Sequence, residues 1–380
     1  MNNALSRREL VGGAAAALLV ARAHPAAAAP SSPVALARCD SYALDGVLGS
    51  LRTLLDQTGG LRRLVSGKTV AVKVNLVNTP SQQAAGLPAS RTYHVHPNVA
   101  RALAMLLDEA GARRIRFLES TFSRQPIEEF FTSGGWNLRD FQSLRAAVDF
   151  EDTRNLGRGK KYHRVRVPWG GSLYPAYDLN HSYVDCDVYV SLAKLKNHSA
   201  AGVTLAMKNN FGITPTALYG GPRASEENTS NRANFHSGMV PLPVGLPAEV
   251  DPASPRRQTY RVPRHTVDAV GIRPIHLAII DGIETVSGGE GPWVQQLVRQ
   301  TPRLLIAGRN PVCTDAIATA CMGYDPMAGP ATGPFPGDNH LALAAALGLG
   351  TNDPRRIEVV GLPLDRAIHP YRYEPRMRNG

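Results

Sequence analysis

The chain has 380 residues, 43% of them hydrophobic and 19% charged, with a formal net charge of +11. That length can bury one large core or two small ones, and the composition excludes a disordered or fibrous chain. The charge calls for an anionic partner rather than nucleic acid: the basic stretches "ARRIRF", "GRGKKYHRVRV" and "PRRQTYRVPRH" carry no binding motif and no interleaved aromatics, and a solvated basic face is the plainer alternative.

Residues 1–28 read as a twin-arginine signal peptide. Arg7-Arg8 in "SRREL" precedes the apolar "LVGGAAAALLV" and the small-residue tract "HPAAAAP", with cleavage expected after Ala28. The apolar run is shorter than the ~20 residues that span a bilayer, and no later run reaches that length, so no stable membrane anchor is expected. The expected location is periplasmic or extracellular, with the twin-arginine translocase as the partner during export. That route carries folded proteins, many loaded with a cofactor, so a metal ion is possible without being named. Cys39, Cys186, Cys313 and Cys321 have no C-x-x-C spacing, so no iron–sulfur or zinc-ribbon motif is encoded. They read as buried free thiols, with a disulfide between distant positions as the alternative.

Residues 29–66 read as an N-terminal extension ahead of an α/β domain over 67–380. "GKTVAVKVNLV" is a buried strand, "HPNVARALAMLLDEAGA" a helix with Pro97 near its start and Gly111 as its stop, and "RRIRFLES" a second strand, together one β-α-β unit. "PIEEFFTSGGW" predicts a helix, and "RAAVDFED" and "YHRVRVPWG" predict strands. "YVDCDVYVSLAKLK" predicts a central strand, with a short helix over 201–211. Residues 214–265 lose periodicity and form a long loop insertion able to cover a site. "PIHLAIIDG" and "PRLLIAGRN" are strands, "PVCTDAIATACMGY" and "NHLALAAALGLG" helices, and "RRIEVVG" a last strand. The class is α/β: a mixed, mostly parallel sheet with flanking helices and a long loop excursion.

Ligands of open α/β sheets bind outside the carboxyl ends of the strands. Lys194, Lys196 and His198 share one parity at such an end, Asn75 closes the strand that holds Lys73, and Asp281 closes another. Residues 200–203 would open a helix whose free N–H groups favour an anion, with Lys208 one turn on. The catalytic candidates are Lys196, His198, Lys208 and Asp281, with proton transfer assigned to His198 and a base or metal-binding role to Asp281. Lys73, Asn75, Lys194, Asn209, Asn210, Gly289 and Gly291 are the substrate-binding candidates. His94, His96, His236 and Asp281 are the metal candidates, on the two-residue spacing of "HVH" and the loop position of His236.

The segments "VAVKVNLV", "VSLAKLKNHSAAGVTLAMKNNFG", "IIDGIETVSGGEGP" and "LLIAGRNPVCTDAIATACMGY" resemble the DUF362 family in order and spacing over about residues 67–325. The resemblance implies recurring positions at Lys73, Asn75, Lys194, Lys196, His198, Lys208, Asn209, Gly212, Asp281, Gly291, Pro292 and Asp315, without roles for them. Family members fused to ferredoxin-type clusters hint at redox work, and this chain lacks those cysteines. The expectation is therefore an exported enzyme, redox or metal-dependent chemistry being possible, acting on a small anionic molecule. A non-catalytic periplasmic binding protein for an anionic ligand or metal is the alternative.

Overall fold

The computed structural model describes residues 29–77, 80–156 and 161–371, so the signal-peptide reading of 1–28 lies outside the described residues. The first elements are β1 (Val34–Arg38), α1 (Leu44–Gln57) and the single turn α2 (Arg62–Val65). The expected β-α-β unit follows as β2 (Thr69–Val74), α3 (Pro97–Glu109) and β3 (Arg114–Glu119). Helix α3 starts where His96 accepts the N–H of Asn98 and Pro97 presets the first turn. It stops before Gly111, whose φ of +88° suits glycine. Next come α4 (Ile127–Ser133), β4 (Ala147–Asp152), β5 (Tyr162–Arg166), β6 (Ala176–Asn180) and α5 (His181–Val184). The lysine-rich segment spans β7 (Val188–Lys194), β8 (Asn197–His198), β9 (Gly202–Val203) and α6 (Leu205–Asn209). Short helices α7 (Thr216–Tyr219) and α8 (Ala233–His236) punctuate the excursion, and α9 (Gln258–Ile272) ends it. The chain closes with β10 (Leu277–Gly282), β11 (Thr285–Ser287), β12 (Val298–Gln300), β13 (Leu304–Gly308), α10 (Pro311–Cys321), α11 (His340–Ala346), β14 (Val359–Gly361) and α12 (Leu364–Ala367).

Eight strands form one sheet in the order β14-β1-β13-β10-β7-β2-β3-β4, with β13 alone reversed. A parallel return needs a crossover of about a dozen residues or more, usually helical, and the β11–β12 hairpin between β10 and β13 supplies no such helix. Alternation splits each central strand between two cores. Val188, Val190 and Leu192 of β7 and Leu277 and Ile279 of β10 join one, with α1 and α3. Tyr189, Ala193, Ala278 and Ile280 join the other, with α6 and α10. Both faces are covered, which is why these strands read as near-continuous apolar runs.

Four expectations about the elements need correcting, and one about a single residue, Arg261. The segment 29–66 is part of the domain, because β1 lies inside the main sheet between β14 and β13. The predicted strand "YHRVRV" pairs with β6 in a separate two-stranded sheet. The excursion ends at residue 257 rather than 265, since α9 continues through Pro263. A proline there cannot donate to the carbonyl of Thr259, and the N–H of Asp338 takes that carbonyl instead, at 3.1 Å. Within "PRRQTYRVPRH" Arg261 is fully buried rather than solvated, bonded to Glu249, Ser254 and Tyr174.

The fourth concerns the helix N-terminus over 200–203. Helix α6 starts later, at Leu205, a non-glycine residue with φ of +48°. Its first N–H groups are not free: Ala206 N donates to Asp315 Oδ1 at 2.9 Å and Met207 N to Asp315 Oδ2 at 2.7 Å. The carboxyl at this N-terminus is the chain's own, pushed up to about 8 by burial against the pull of those two N–H groups, and it holds a left-handed residue that would otherwise relax. Asp315→Ala orphans two buried donors and is expected to cost about 2–5 kcal/mol in urea unfolding. A loss below about 1 kcal/mol would mean that other contacts fix the turn.

Candidate functional site

Strand order changes direction between β2 and β7, with β3 and β4 on one side and β10 on the other. An open α/β sheet places its ligand site at such a switch point. A cavity of about 460 Å³ opens here. Lys73 and Asn75 enter it from β2, Glu119 and Ser120 from β3, and His198 and Ser199 from beyond β7. Helix α6 adds Lys208 and Asn209, and the excursion adds Arg232 and His236. Phe122, Phe211 and Trp293 form apolar wall, and Glu290 comes from the glycine-rich loop after β11.

Four buried lysines meet at these strand ends, and three are committed. Lys73 Nζ lies 2.6 Å from Glu119 Oε1 and donates to the Val74 carbonyl at 2.6 Å and Asn209 Oδ1 at 3.3 Å. Gly212 makes that possible, since a Cβ there would stand 3.0 Å from Lys73 Cε. Lys194 Nζ donates to Asp281 Oδ2 at 2.9 Å, Tyr42 Oη at 2.9 Å and the Ser90 carbonyl at 3.3 Å. Lys196 Nζ donates to the carbonyls of Tyr93 at 2.6 Å and Glu290 at 3.1 Å.

Lys208 differs. Its Nζ sits 3.9 Å from the Phe211 ring centroid and has no hydrogen bond or ion pair among the described residues. Both cavity carboxylates are occupied elsewhere. Glu119 accepts from Lys73, Leu76 N and Ser120 N, and Glu290 from Ser199 N, Ser199 Oγ and Trp293 Nε1. Burial pulls the Lys208 amine down to about 7, Glu290 opposes the shift, and Arg232 and Lys73 add to it.

The two cavity histidines carry opposite polarity. His198 Nδ1 accepts the N–H of Ala200 at 3.1 Å, so its ring proton sits on Nε2. His236 Nδ1 lies 3.2 Å from the Arg232 carbonyl, which only an N–H can satisfy, so its Nε2 is an acceptor. Burial holds His198 well below the usual histidine range and His236 at about 4, so both are neutral at pH 7. Asn75 donates to Asn209 Oδ1 at 3.2 Å, while its own Oδ1 is buried with no partner among the described residues. One cavity thus holds an uncommitted amine, a neutral N–H donor and two open acceptors.

Not every predicted residue reaches this place. Asp281 does not line the cavity. Its oxygens accept from Lys194, Tyr42, His96 N and Ile283 N, and its side chain is fully buried, which leaves no lone pair for a metal. Lys194 shares that buried pair, and Lys196 pins the loop that carries Glu290. The shared parity of Lys194, Lys196 and His198 fails because β7 ends at Lys194 and the chain then turns. Asn210 is packed away, bonded to Tyr189 and the carbonyls of Ala269 and Arg273. Gly289 and Gly291 do not line the cavity, and Gly291 gives the Trp293 ring its space.

The metal candidates do not assemble. His94 Nε2 donates to the Val77 carbonyl at 2.6 Å, and His96 Nδ1 caps α3 with its ring stacked on Tyr42 at 3.7 Å. Only His236 of that set lines the cavity. Among the described residues, the group with metal-ligand composition is His163, His181 and Asp185, with ligand atoms within 4.8 Å of one another and none of the three in the cavity lining. The four cysteines are buried and free. Sequence reading missed Glu119, Glu290, Trp293 and Arg232. The strand-end rule that picked out Asp281 also reaches Glu119. Nothing in the excursion's sequence singles out Arg232.

The profile of the family described as "Domain of unknown function (DUF362)" matches residues 70–320, more than half of the chain. A thylakoid-associated protein of Synechocystis is 30% identical over 185 residues, which are 48% of this chain and 50% of that protein. The chain therefore spans about half the length of that relative. Among solved structures, a Thermotoga maritima structural-genomics protein superposes with a TM-score of 0.37 at 13% identity, over 72% of this chain and 57% of that one. The lactate racemase apoprotein of Thermoanaerobacterium thermosaccharolyticum gives a TM-score of 0.34 at 17% identity, over 71% and 54%. Neither likeness is strong enough to bear on the chemistry of the site.

The Lys208 amine falls from 10.5 when unfolded to about 7 when folded. Its burial therefore costs nothing above pH ~10, costs more as the pH falls, and levels off below about 7. Lys208→Met is expected to raise the thermal midpoint at pH 7, with the gain shrinking toward pH 10. A variant that melts lower at pH 7 would mean that the ammonium is satisfied in the fold.

Proposed function

The chain belongs to the DUF362 family, and because that membership assigns no activity we propose its role from its own site: an enzyme that binds a small anionic molecule in the Lys208 cavity and moves protons on it. The observation that carries this reading is Lys208, a buried amine held near 7 with no oxygen partner among the described residues, lining the cavity at the sheet's switch point. Such a group supplies a cation to an anion when protonated and a base or nucleophile when neutral. His198 Nε2–H is the matching proton donor and His236 Nε2 the matching acceptor. Lys73 and Arg232 add positive charge to the same walls, though both are already bonded within the fold.

We read this work as exported. Arg7-Arg8 ahead of a short apolar segment supports the twin-arginine route, and no described helix is long and apolar enough to cross a membrane. The Synechocystis relative is named for its association with thylakoids, and a place at or beyond a membrane is consistent with both.

A thermal-shift panel of small carboxylates and phosphates tests the reading. A true ligand at about 100 times its Kd should add about 2.7 kcal/mol of stability. The effect should weaken with salt and vanish in Lys208→Met. Nuclear magnetic resonance of that ligand in D2O should then show enzyme-dependent exchange or conversion that His198→Ala slows by about a hundredfold or more. Binding without exchange would favour the non-catalytic binding protein. A shift that survives Lys208→Met would remove the cavity from the account.

A further inference from the structure

Of the four buried lysines, Lys73 and Lys194 each direct their N–H groups at three oxygens, one of them a carboxylate, and Lys196, whose amine burial holds well below the usual lysine range, gives its N–H groups to two carbonyls and does not line the cavity. Lys208 has only the face of Phe211. An aromatic face attracts a cation, but it offers no directed lone pair to hold the three protons. Among the described residues neither cavity carboxylate, Glu119 or Glu290, is hydrogen-bonded or ion-paired to Lys208; both are bonded to other groups, and Glu290 acts on the amine only through its charge. The neighbouring cations Arg232 and Lys73 discourage a further positive charge. An amine placed in this way is a nucleophile at neutral pH.

We infer that Lys208 forms an imine with a carbonyl compound, and that the substrate class is the 2-oxo acids. This deepens the proposed function and rests on it. The walls match that class. The lining carries three cationic side chains, Lys73, Lys208 and Arg232, against two carboxylates, Glu119 and Glu290, which leaves it leaning positive as a carboxylate requires, and Phe122, Phe211 and Trp293 add apolar surface for a tail. The Nζ lone pair adds to the carbonyl carbon, and the C=O π pair moves onto oxygen, which takes up a proton. The carbinolamine nitrogen gives up one proton, the oxygen gains a second and leaves as water, and the C=N bond forms. Amine, carbonyl and one proton from the cavity's donor thus become protonated imine and water, with no electrons gained or lost. His198 Nε2–H and His236 Nε2 are the cavity's donor and acceptor for those transfers. Once formed, the protonated imine withdraws electrons from the adjacent carbon and acidifies its C–H bonds, which is the proton chemistry proposed for the site.

The test uses the folded full chain with pyruvate and phenylpyruvate as probes and cyanoborohydride as the trapping reductant, read by intact mass and peptide mapping. One reduced adduct per chain is expected, on Lys208, formed at pH 7 at least tenfold faster than on any surface lysine. Its rate should rise with a midpoint near the amine's value of about 7. Lys208→Arg, confirmed as folded by its thermal midpoint, should show no such adduct. If either probe raises the thermal midpoint but Lys208 stays unmodified, the imine is wrong and the anion site stands. If neither probe shifts the midpoint and adducts scatter over surface lysines, the imine and the choice of 2-oxo acids fail together, and only the rest of the carboxylate and phosphate panel can then support the anion site.

Discussion

A lysine taken out of water must find oxygen acceptors or give up its proton, and this sheet imposes that choice four times at the carboxyl ends of its strands. Three of the answers also hold the fold together. Lys194 joins β7 to Asp281 of β10 and, through Tyr42, to the segment that follows β1. Lys196 ties the end of β7 to the carbonyls of residues 93 and 290. Lys73 bridges β2, β3 and α6 through Glu119 and Asn209. Removing one partner from such a buried pair typically costs about 3–5 kcal/mol, because the other charge is left in a dry interior. The fourth, Lys208, lines the cavity beside Lys73 and has no oxygen partner among the described residues. A fold that gives three lysines oxygen partners and leaves the fourth bare carries a local instability at the cavity.

Backbone strain falls in the same place. Among the described residues six non-glycine residues have positive φ, and two of them open the helices that border the cavity: Leu205, the first residue of α6, which carries Lys208, and Arg232 just before α8, which carries His236. Each left-handed residue costs on the order of 1–3 kcal/mol and persists only when its surroundings fix it. Asp315 fixes the first, through two backbone N–H groups. The second is fixed by the Arg232 side chain itself, which donates to the carbonyls of Thr214 and Gly212.

Much of this fold can be read from the sequence, because buried parallel strands are long apolar runs and the helices between them carry their own stops. Pro97 and Gly111 mark boundaries by local chemistry, and the structure puts them at boundaries. The family resemblance, drawn from the spacing of those runs, matches the profile over 70–320. The errors arise where distant partners decide. Helix α9 survives Pro263 because Asp338 takes the freed carbonyl, and β1 joins the sheet from a segment with no β-α-β partner of its own. The site was legible to the same depth. The strand-end rule picks out Lys73, Asn75 and His198, which do line the cavity, but it cannot tell a lysine that pairs inward from one left without an oxygen partner. Asp281, Lys194 and Lys208 all look functional in sequence, but Asp281 and Lys194 are satisfied by each other in space, whereas Lys208 lines the cavity without an oxygen partner among the described residues.

The central claim is that the Lys208 amine is close to half protonated at neutral pH, and a side-chain NMR titration of lysine-labelled protein reads it directly. The resonance that disappears in Lys208→Arg should titrate with a midpoint near 7. A midpoint near 10, the ordinary lysine value, would show a satisfied ammonium and contradict the account.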